Sequence, residues 1–280
     1  MDFFKGRKAV IATKHKKEEV IAPILENELG LICVTPYGLD TDQLGTFSGE
    51  IKRLDDPIAT LRKKCQMAIE ASGINVAIAN EGSFGAHPSI FFAKADDEII
   101  MLMDKENGIE IIERELSLKT NSDGTDIKSV DGLIEFANKI GFPSHGIILK
   151  KAKDNFLGII KESRTIEELI ENYHIIKNAD CSAYAETDMR AMKNPTRMDV
   201  IAKAAEKLVS KVKSVCPNCS IPGFGIIDAQ SGLPCEMCGL PTRSTLKHIY
   251  RCQKCNFQME KVFPFGKQVE NPQYCDFCNP

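Results

Sequence analysis

The chain alternates short apolar runs with amphipathic segments, and this pattern predicts an α/β fold. Residues 8–12 and 76–79 are apolar runs typical of buried strands. A helical spacing covers 16–29, and a second helix is predicted from Asp56, an N-cap followed by Pro57 at the first helical position. Such alternation favours a mixed sheet flanked by helices.

The alternation continues through the next part of the chain. Residues 98–103 and 109–115 are β-rich runs joined by Lys-Glu-Asn-Gly, which predicts a hairpin. Further predicted elements are helices over 129–140 and 165–177, strands over 146–150 and 181–187, and a helix from Asn194-Pro195. We expect residues 1–214 to form one α/β body, the candidate catalytic domain.

Four Cys-x-x-Cys pairs occupy the rest of the chain, residues 215–280. They are Cys216 and Cys219, Cys235 and Cys238, Cys252 and Cys255, and Cys275 and Cys278. One such knuckle supplies two of the four thiolates of a tetrahedral zinc ion, so the pairs predict two structural Zn²⁺ ions in a double zinc-ribbon module. Sequential pairing, first with second and third with fourth, is the expected arrangement, and interleaved pairing stays open.

Composition limits the classes of function. The chain is 43% hydrophobic and 27% charged, which is typical of a globular protein. No apolar run approaches the roughly 20 residues that span a bilayer, and the start lacks the apolar stretch of a signal peptide. We therefore expect no membrane association and a cytoplasmic location, where thiols stay reduced and bind zinc. A formal charge of −3 disfavours non-specific nucleic-acid binding.

Polar clusters follow four of the predicted strands, where ligands bind in open α/β sheets. The first cluster contains Thr13 and Lys16, between a strand and a helix start, where backbone N–H groups and cations favour phosphate. A solvated basic turn is the plain alternative. The second is the loop 40–50 with Thr46, which suits a ribose, a phosphate or a divalent ion. An acidic surface loop is its alternative.

The third cluster follows the apolar run 76–79. It contains Glu81, Ser83 and His87, and its interspersed glycines permit close approach of the backbone to a ligand. A turn that requires two glycines is the alternative interpretation. Because an acid and a histidine follow a buried strand here, a functional site is the favoured one.

The fourth cluster lies at the end of the predicted strand 181–187. Glu186 and Asp188, two residues apart, would share one face and suit Mg²⁺ held together with substrate phosphates. Arg190 and Arg197 flank the start of the next helix, where the dipole also favours anions. A salt-bridge cluster is the alternative. We expect all four clusters to converge at one end of a doubly wound sheet.

Segments along nearly the whole chain resemble an uncharacterised bacterial family of unknown function. That family joins an N-terminal α/β region to a C-terminal four-knuckle zinc region. The segments that carry the resemblance are GRKAVIATKH, GTFSGE, EGSFGAHPS, ETDMRAMKNPTRM and LPTRSTLKHIYRCQKC. The resemblance implies the two-part architecture and brings no established activity.

Residues 8–85 are more remotely similar to the inosine/xanthosine triphosphatase and Maf superfamily. Its members begin with a strand and a Thr/Ser-x-Asn-x-x-Lys turn, and a later strand ends in an acidic residue. The segment ATKHKKEEVI resembles the turn, with Thr13 and Lys16 or Lys17 as the matching residues. VAIANEGSFG resembles the acidic strand end, which implies that Glu81 binds metal. A basic residue replaces the family's Asn, so positioning of the base or ribose is expected to differ.

The first functional hypothesis is an Mg²⁺-dependent phosphohydrolase acting on a nucleotide-like substrate such as a non-standard nucleoside triphosphate. The catalytic or metal-binding candidates are Glu81, Glu186 and Asp188. The substrate-binding candidates are Thr13, Lys16, Thr46, Ser83, His87, Arg190 and Arg197. Phosphoryl transfer depends on this kind of positioning and charge compensation.

The second hypothesis is a non-enzymatic zinc-ribbon adaptor that binds a protein or RNA partner. Its motivation is the polar stretch 242–251 between the second and third knuckles. The region 215–280 has nearly equal numbers of basic and acidic residues, so a protein partner is favoured over nucleic acid.

Overall fold

A computed structural model of the chain describes residues 3–13, 15–36, 56–178 and 180–280. The chain divides into two compact units. The first, called the body, comprises Met1–Asn107 and Ile112–Val209, and the second, called the cysteine module, comprises Gly108–Ile111 and Ser210–Pro280. The predicted α/β fold class with a mixed sheet is confirmed.

The larger sheet of the body has five strands in the order β2-β1-β3-β4-β5. Its strands and helices are β1 (Lys8–Ala12), α1 (Glu18–Leu29), β2 (Ile32–Val34), α2 (Pro57–Ser72), β3 (Val76–Ala86), β4 (Lys94–Asp104) and β5 (Ile109–Ser117). β1 pairs in parallel with both β2 and β3, and β3 pairs antiparallel with β4. The sheet is therefore mixed, as its pattern predicts.

The strand order creates a switch point between β1 and β3. From β1 the chain passes through α1 to β2 on one side, and after α2 it continues in β3 on the other side of β1. Crevices form where successive connections leave in opposite directions, and ligands of open α/β sheets bind there, outside the carboxyl ends of the strands. Because Ala12 pairs with Ala79, the crevice is bordered by Thr13 and by Asn80.

Local sequence accounts for the helix starts. The Asp56 carboxylate accepts hydrogen bonds from the backbone N–H groups of Ile58 and Ala59, so the predicted N-cap is confirmed. α2 then packs its buried face, including Leu61 and Cys65, against β1, β3 and β4. This helix forms because capping, proline placement and apolar spacing agree.

A second, smaller sheet completes the body. Its order is β6-β8-β7, and β8 pairs antiparallel with both neighbours. The elements are β6 (Gly124–Ile127), α3 (Val130–Ile140), β7 (Ile147–Lys150), α4 (Ile166–Ile176), β8 (Ala183–Thr187) and α5 (Pro195–Lys213). Ala183 and Ala185 pack in one core with α3 and α4. Alternation along β8 places Tyr184 and Glu186 on the opposite face.

Two predictions about the strand ends are wrong. The strand predicted over 76–79 continues to Ala86, so Glu81 and Ser83 lie within β3 instead of after it. The convergence of all four polar clusters at one doubly wound sheet is also wrong, because β8, which carries Glu186, belongs to the second sheet. Antiparallel pairing with β4 over eleven residue pairs holds β3 extended through its polar end.

The cysteine module contains a three-stranded antiparallel sheet in the order β11-β10-β9. Its strands are β9 (Gly225–Ser231), β10 (Thr245–Arg251) and β11 (Gln258–Val262). Most of the polar stretch 242–251 is therefore the central strand, with its backbone paired on both sides. Among the described residues, no helix combines the length and apolar character needed to cross a bilayer.

Candidate functional site

The four Cys-x-x-Cys pairs of the module share one turn. In each knuckle the backbone N–H four residues after the first cysteine donates to that cysteine's carbonyl oxygen, over 2.8–3.1 Å. Three of these fourth residues, Ser220, Gly239 and Asn256, have positive φ angles. Gly and Asn adopt this left-handed conformation most readily, so the local sequence suits the turn. The turn points both thiols of a knuckle to the same side.

The knuckles combine in an interleaved order. One cluster contains Cys216, Cys219, Cys252 and Cys255, and the other contains Cys235, Cys238, Cys275 and Cys278. The expected sequential pairing is therefore wrong. β9 lies between the first and second knuckles and has seven residues, a span of roughly 20 Å, so these two knuckles lie at opposite ends of the sheet. Antiparallel pairing of Gly225 with Arg251 brings the third knuckle beside the first instead.

The sulfur geometry of both clusters fits zinc. Tetrahedral Zn²⁺ with Zn–S bonds of about 2.3 Å requires sulfur–sulfur separations of roughly 3.8 Å. The Sγ–Sγ distances are 3.6 Å for Cys216–Cys255 and for Cys219–Cys252, and 3.9 and 3.7 Å for Cys235–Cys278 and Cys238–Cys275. A disulfide would require about 2.05 Å. The predicted eight ligands thus form two Cys₄ sites that could hold two zinc ions.

The body contains a second concentration of polar groups, at the crevice between β1 and β3. We call it the switch-point cluster, and its members are Lys17, Asn80, Asp96, Glu98 and Arg197. All five have relative exposures of 6% or less. Lys17 Nζ donates to Asn80 Oδ1 at 2.7 Å and to the Asn80 carbonyl oxygen at 3.1 Å. The start of α1 is thereby fastened to β3.

Arg197 connects three parts of the body. Its Nε donates to Glu98 Oε1 on β4 at 2.7 Å, and its Nη1 donates to the carbonyl oxygen of Met189, just after β8. The guanidinium also lies over the Phe84 ring, 5.1 Å from its centroid. Since Arg197 itself is on α5, one side chain links α5, the larger sheet and the segment that follows the smaller sheet.

Gly82 makes room for this ion pair. It lies opposite Glu98 in the β3–β4 register. A Cβ atom built there would overlap Glu98 Oε1 and lie 2.6 Å from Arg197 Nη2. The sequence predicts that the glycines of this segment allow a ligand to approach the backbone. In the structure, the missing side chain of Gly82 leaves space for a neighbouring ion pair.

Three carboxylate oxygens of the cluster have no hydrogen-bond partner among the described residues. Both oxygens of Asp96 and Oε2 of Glu98 are buried in this way. Burying an ionised carboxylate without a hydrogen bond or an opposite charge costs roughly several kcal/mol of folding free energy. Such groups either retain a proton or receive a cation, so these oxygens are the most conspicuous candidates for ligand binding in the body.

Burial and mutual charge shift the pKa values of the cluster. Burial, and then the negative charge of Glu98, raise the pKa of Asp96 to about 8. Burial alone would raise the pKa of Glu98, but the charges of Arg197 and Lys17 outweigh it and hold that pKa below its ordinary value. Burial, and then the charge of Arg197, lower the pKa of Lys17 to about 7. Groups with such shifts are frequent at functional sites.

The structure separates the residues predicted in the first polar cluster. Thr13 is 8% exposed, and its Oγ1 has no hydrogen-bond partner among the described residues. Lys16 is on the surface, where its Nζ lies 3.0 Å from Glu19 Oε1. Of the two lysines that the superfamily resemblance left open, Lys17 is therefore the one that reaches the crevice. Thr46 and the loop 40–50 lie outside the described residues.

The third predicted cluster also divides. Glu81 is buried and forms an ion pair with Lys64 of α2. Ser83 is exposed and lines a cleft of about 840 Å³ in the body. His87 lies beyond β3, and its Nδ1 accepts hydrogen bonds from the backbone N–H groups of Ser89 and Ile90 at 3.1 Å. His87 therefore shapes the connection between β3 and β4.

The fourth predicted cluster consists largely of ion pairs. Glu186 lies 2.7 Å from the Lys150 amine, and burial raises the pKa of Glu186 although Lys150 opposes the shift. Asp188 is fully buried and accepts hydrogen bonds from the backbone and guanidinium of Arg190. Arg190 also bonds to Glu162. Arg197 alone of this set joins the switch-point cluster.

Asp96 and Glu98 were not among the predicted site residues, although the sequence contains a signal for them. The segment Asp96-Asp97-Glu98 directly precedes the apolar run of β4. Continuing the strand's two-residue period backwards puts Asp96 and Glu98 on the face of Ile100 and Leu102, which is buried. Because the strand is predicted to begin at residue 98, Asp96 is not recognised as part of its buried face.

Replacement of Gly82 tests the packing around the ion pair. Gly82→Ala is expected to destabilise the protein by about 1–3 kcal/mol, because the added methyl overlaps a buried, charged side chain. The measurement is urea-induced unfolding. Gly85→Ala on the same strand is the matched control, since its Cβ would meet nothing within 4 Å. Equal stability of the two variants would contradict the crowding at Gly82.

Lys17→Met tests the depressed lysine pKa. An unfolded lysine titrates near 10.4 and folded Lys17 near 7, so the native state binds fewer protons between these values. This lysine therefore makes the free energy of unfolding increase as the pH rises from about 7 to 10. We expect the variant to lose that part of the slope in urea titrations across this range. An unchanged slope would show that Lys17 is solvated.

Zinc content tests the interleaved pairing. We expect two zinc ions per chain by elemental analysis, and chelation should unfold the module because each structural site contributes roughly 10–16 kcal/mol. The double variant Cys216→Ser/Cys252→Ser should lose one zinc, since both residues belong to one cluster. Loss of both ions would instead support sequential pairing. Cys181→Ser, outside both clusters, is the control and should retain two.

Comparison with known proteins identifies one family that this chain matches. The sequence profile of one family, the domain of unknown function DUF6671, matches residues 64–280, which is more than half of the chain and includes both Cys₄ clusters. No curated protein matches the chain. The chain belongs to the DUF6671 family of domains of unknown function.

Proposed function

We propose that the body is an Mg²⁺-dependent phosphohydrolase acting on a nucleotide-like phosphate, such as a non-standard nucleoside triphosphate. The observation that carries this proposal is the switch-point cluster, where unpartnered carboxylate oxygens of Asp96 and Glu98 lie near the cations Lys17 and Arg197. A metal bound by acids beside cations that offset phosphate charge is the usual equipment of phosphoryl transfer.

In this proposal Asp96 and Glu98 provide the metal ligands. Mg²⁺ prefers oxygen donors and is usually bound in proteins by one or two carboxylates together with water and substrate phosphates. Binding of the ion would release the proton that the raised pKa of Asp96 retains. Glu81 lies opposite Ile99 in the β3–β4 register and is paired with Lys64, so the ion is not assigned to it.

Charge compensation falls to Lys17 and Arg197. Lys17 stands at the start of α1, where backbone N–H groups also favour an anion. Arg197 is already engaged by Glu98, so its guanidinium is pre-positioned at low entropic cost. Glu186 and Asp188 have partners of their own, which is why the ion is assigned to β4 instead.

Asp96→Asn tests this assignment. The change removes a carboxylate that has no hydrogen-bond partner among the described residues, so little structural loss is expected. We expect kcat/KM for pyrophosphate release from inosine or xanthosine triphosphate to fall at least about 100-fold, or about 2.7 kcal/mol. Mn²⁺ affinity, measured by electron paramagnetic resonance on the same protein, should fall in parallel.

Asp97→Asn is the matched control. Asp97 is adjacent in sequence but pairs with Arg114 instead of with the cluster, so both activity and Mn²⁺ affinity should remain. Equal losses in the two variants would refute the metal assignment. Absence of turnover over a nucleotide panel with Mg²⁺ and Mn²⁺ would refute the phosphohydrolase and favour the zinc-ribbon adaptor.

A further inference from the structure

A cleft of about 840 Å³ opens between the two sheets of the body. One wall is the outer end of the β3–β4 pair, and the floor is the face of β6, β7 and β8 that points away from α3 and α4. Ser83, Phe84, Phe91, Phe92 and Lys94 line the wall. Gly124, Ile148, Tyr184, Glu186 and Met189 line the floor and its edge. The volume lies within the usual range for small-molecule sites.

The rim of this cleft is aromatic. Phe91 and Phe92 are 88% and 94% exposed, the largest values among the exposed large apolar residues in the described part of the chain. They are consecutive residues in the connection between β3 and β4, and both line the cleft. Phe84 and Tyr184 add two further rings. A planar ring is the ligand group that would bury these faces most effectively.

The polar lining favours an anion beside the ring. Both acids of the cleft are neutralised, Glu186 by Lys150 and Asp123 by Lys94 and Lys139. Burial opposes ionisation of Asp123, but hydrogen bonds from Lys139 and Lys94 outweigh it and lower the pKa of Asp123 to about 2. Lys153 also lines the cleft and has no ion pair with a described residue. The remaining charge in the cleft is therefore positive.

The cleft adjoins the switch-point cluster. Phe84 and Met189 connect the two, since each lines the cleft and each contacts Arg197, Phe84 through its ring and Met189 through its carbonyl oxygen. Arg197 in turn donates to Glu98, so two residues in contact connect the cleft to a proposed metal ligand. A single molecule that placed its ring in the cleft would have its phosphates near the proposed metal ligands.

We propose that the cleft binds the nucleobase and sugar of a nucleotide, with the base stacked on Phe91 and Phe92 and the phosphate chain passing Lys153 towards Arg197 and the proposed metal ligands. The inference rests on the proposed function for its choice of a nucleotide among ring-bearing anions. Stacking on an aromatic side chain stabilises a bound base whatever its identity, because every base presents a flat π face. Base recognition therefore belongs to residues 91–92, and Lys153 adds to phosphate recognition from within the cleft.

The test is equilibrium binding to the zinc-loaded full-length protein without added Mg²⁺, so that no turnover occurs. The probes are inosine triphosphate and inorganic tripolyphosphate, titrated by calorimetry. We expect Phe91→Ala/Phe92→Ala to weaken nucleotide binding about 10–100-fold and to leave tripolyphosphate binding within twofold. Lys153→Ala should weaken both probes. Phe265→Ala, which changes an exposed ring of the cysteine module, is the matched control and should change neither.

Several results would overturn the inference. Wild-type affinities that are equal for the two probes would mean that the ring contributes nothing. Unchanged nucleotide affinity in the double phenylalanine variant would show that the base does not bind in the cleft. Phenylalanine-dependent nucleotide binding without hydrolysis under any metal would keep the cleft assignment and refute only the phosphohydrolase, so the two proposals fail separately.

Discussion

The buried ion pair between Arg197 and Glu98 is the interaction on which the organisation of the body depends. Arg197 on α5 bonds to β4 of the larger sheet and to the carbonyl oxygen of Met189 after the smaller sheet. Both charged side chains are fully buried. Removing one partner of such a pair costs about 3–5 kcal/mol, because the other charge is left uncompensated. The pair fits against β3 because Gly82 has no side chain there.

Ion pairing also distinguishes the acidic residues of the body from one another. Glu81, Glu186 and Asp188 each have a cationic partner, whereas Asp96 has none among the described hydrogen bonds and Glu98 has one oxygen engaged. A carboxylate that is already satisfied stabilises the fold, and one that is buried without a partner requires a proton or a cation. The proposed metal ligands follow from this distinction and not from the number of acidic residues.

The cysteine module shows how a sheet determines metal pairing. Each knuckle is a local structure, formed by a turn within five residues. The choice of partner is decided by β9 and β10, which run antiparallel and carry successive knuckles to opposite ends of the sheet. Knuckles one and three meet, as do knuckles two and four. Each strand thus spans between the two metal sites, and loss of either site would free one end of the sheet.

The sequence by itself determined the local features of this protein. The N-cap at Asp56, the hairpin before Ile109, the mixed α/β class and the eight metal-binding cysteines follow from residue types and spacing within a few positions. Such features depend on backbone preferences and on side chains that meet within one turn, so a short window of sequence contains them.

Only the tertiary structure decided which of these local features meet. It extended β3 and β4 through their polar ends, placed β8 in a second sheet and interleaved the knuckles. It also paired Glu98 with Arg197, ninety-nine positions apart. Strand pairing partners and buried ion pairs are set by the packing of distant segments, whose energies do not appear in any single stretch of sequence.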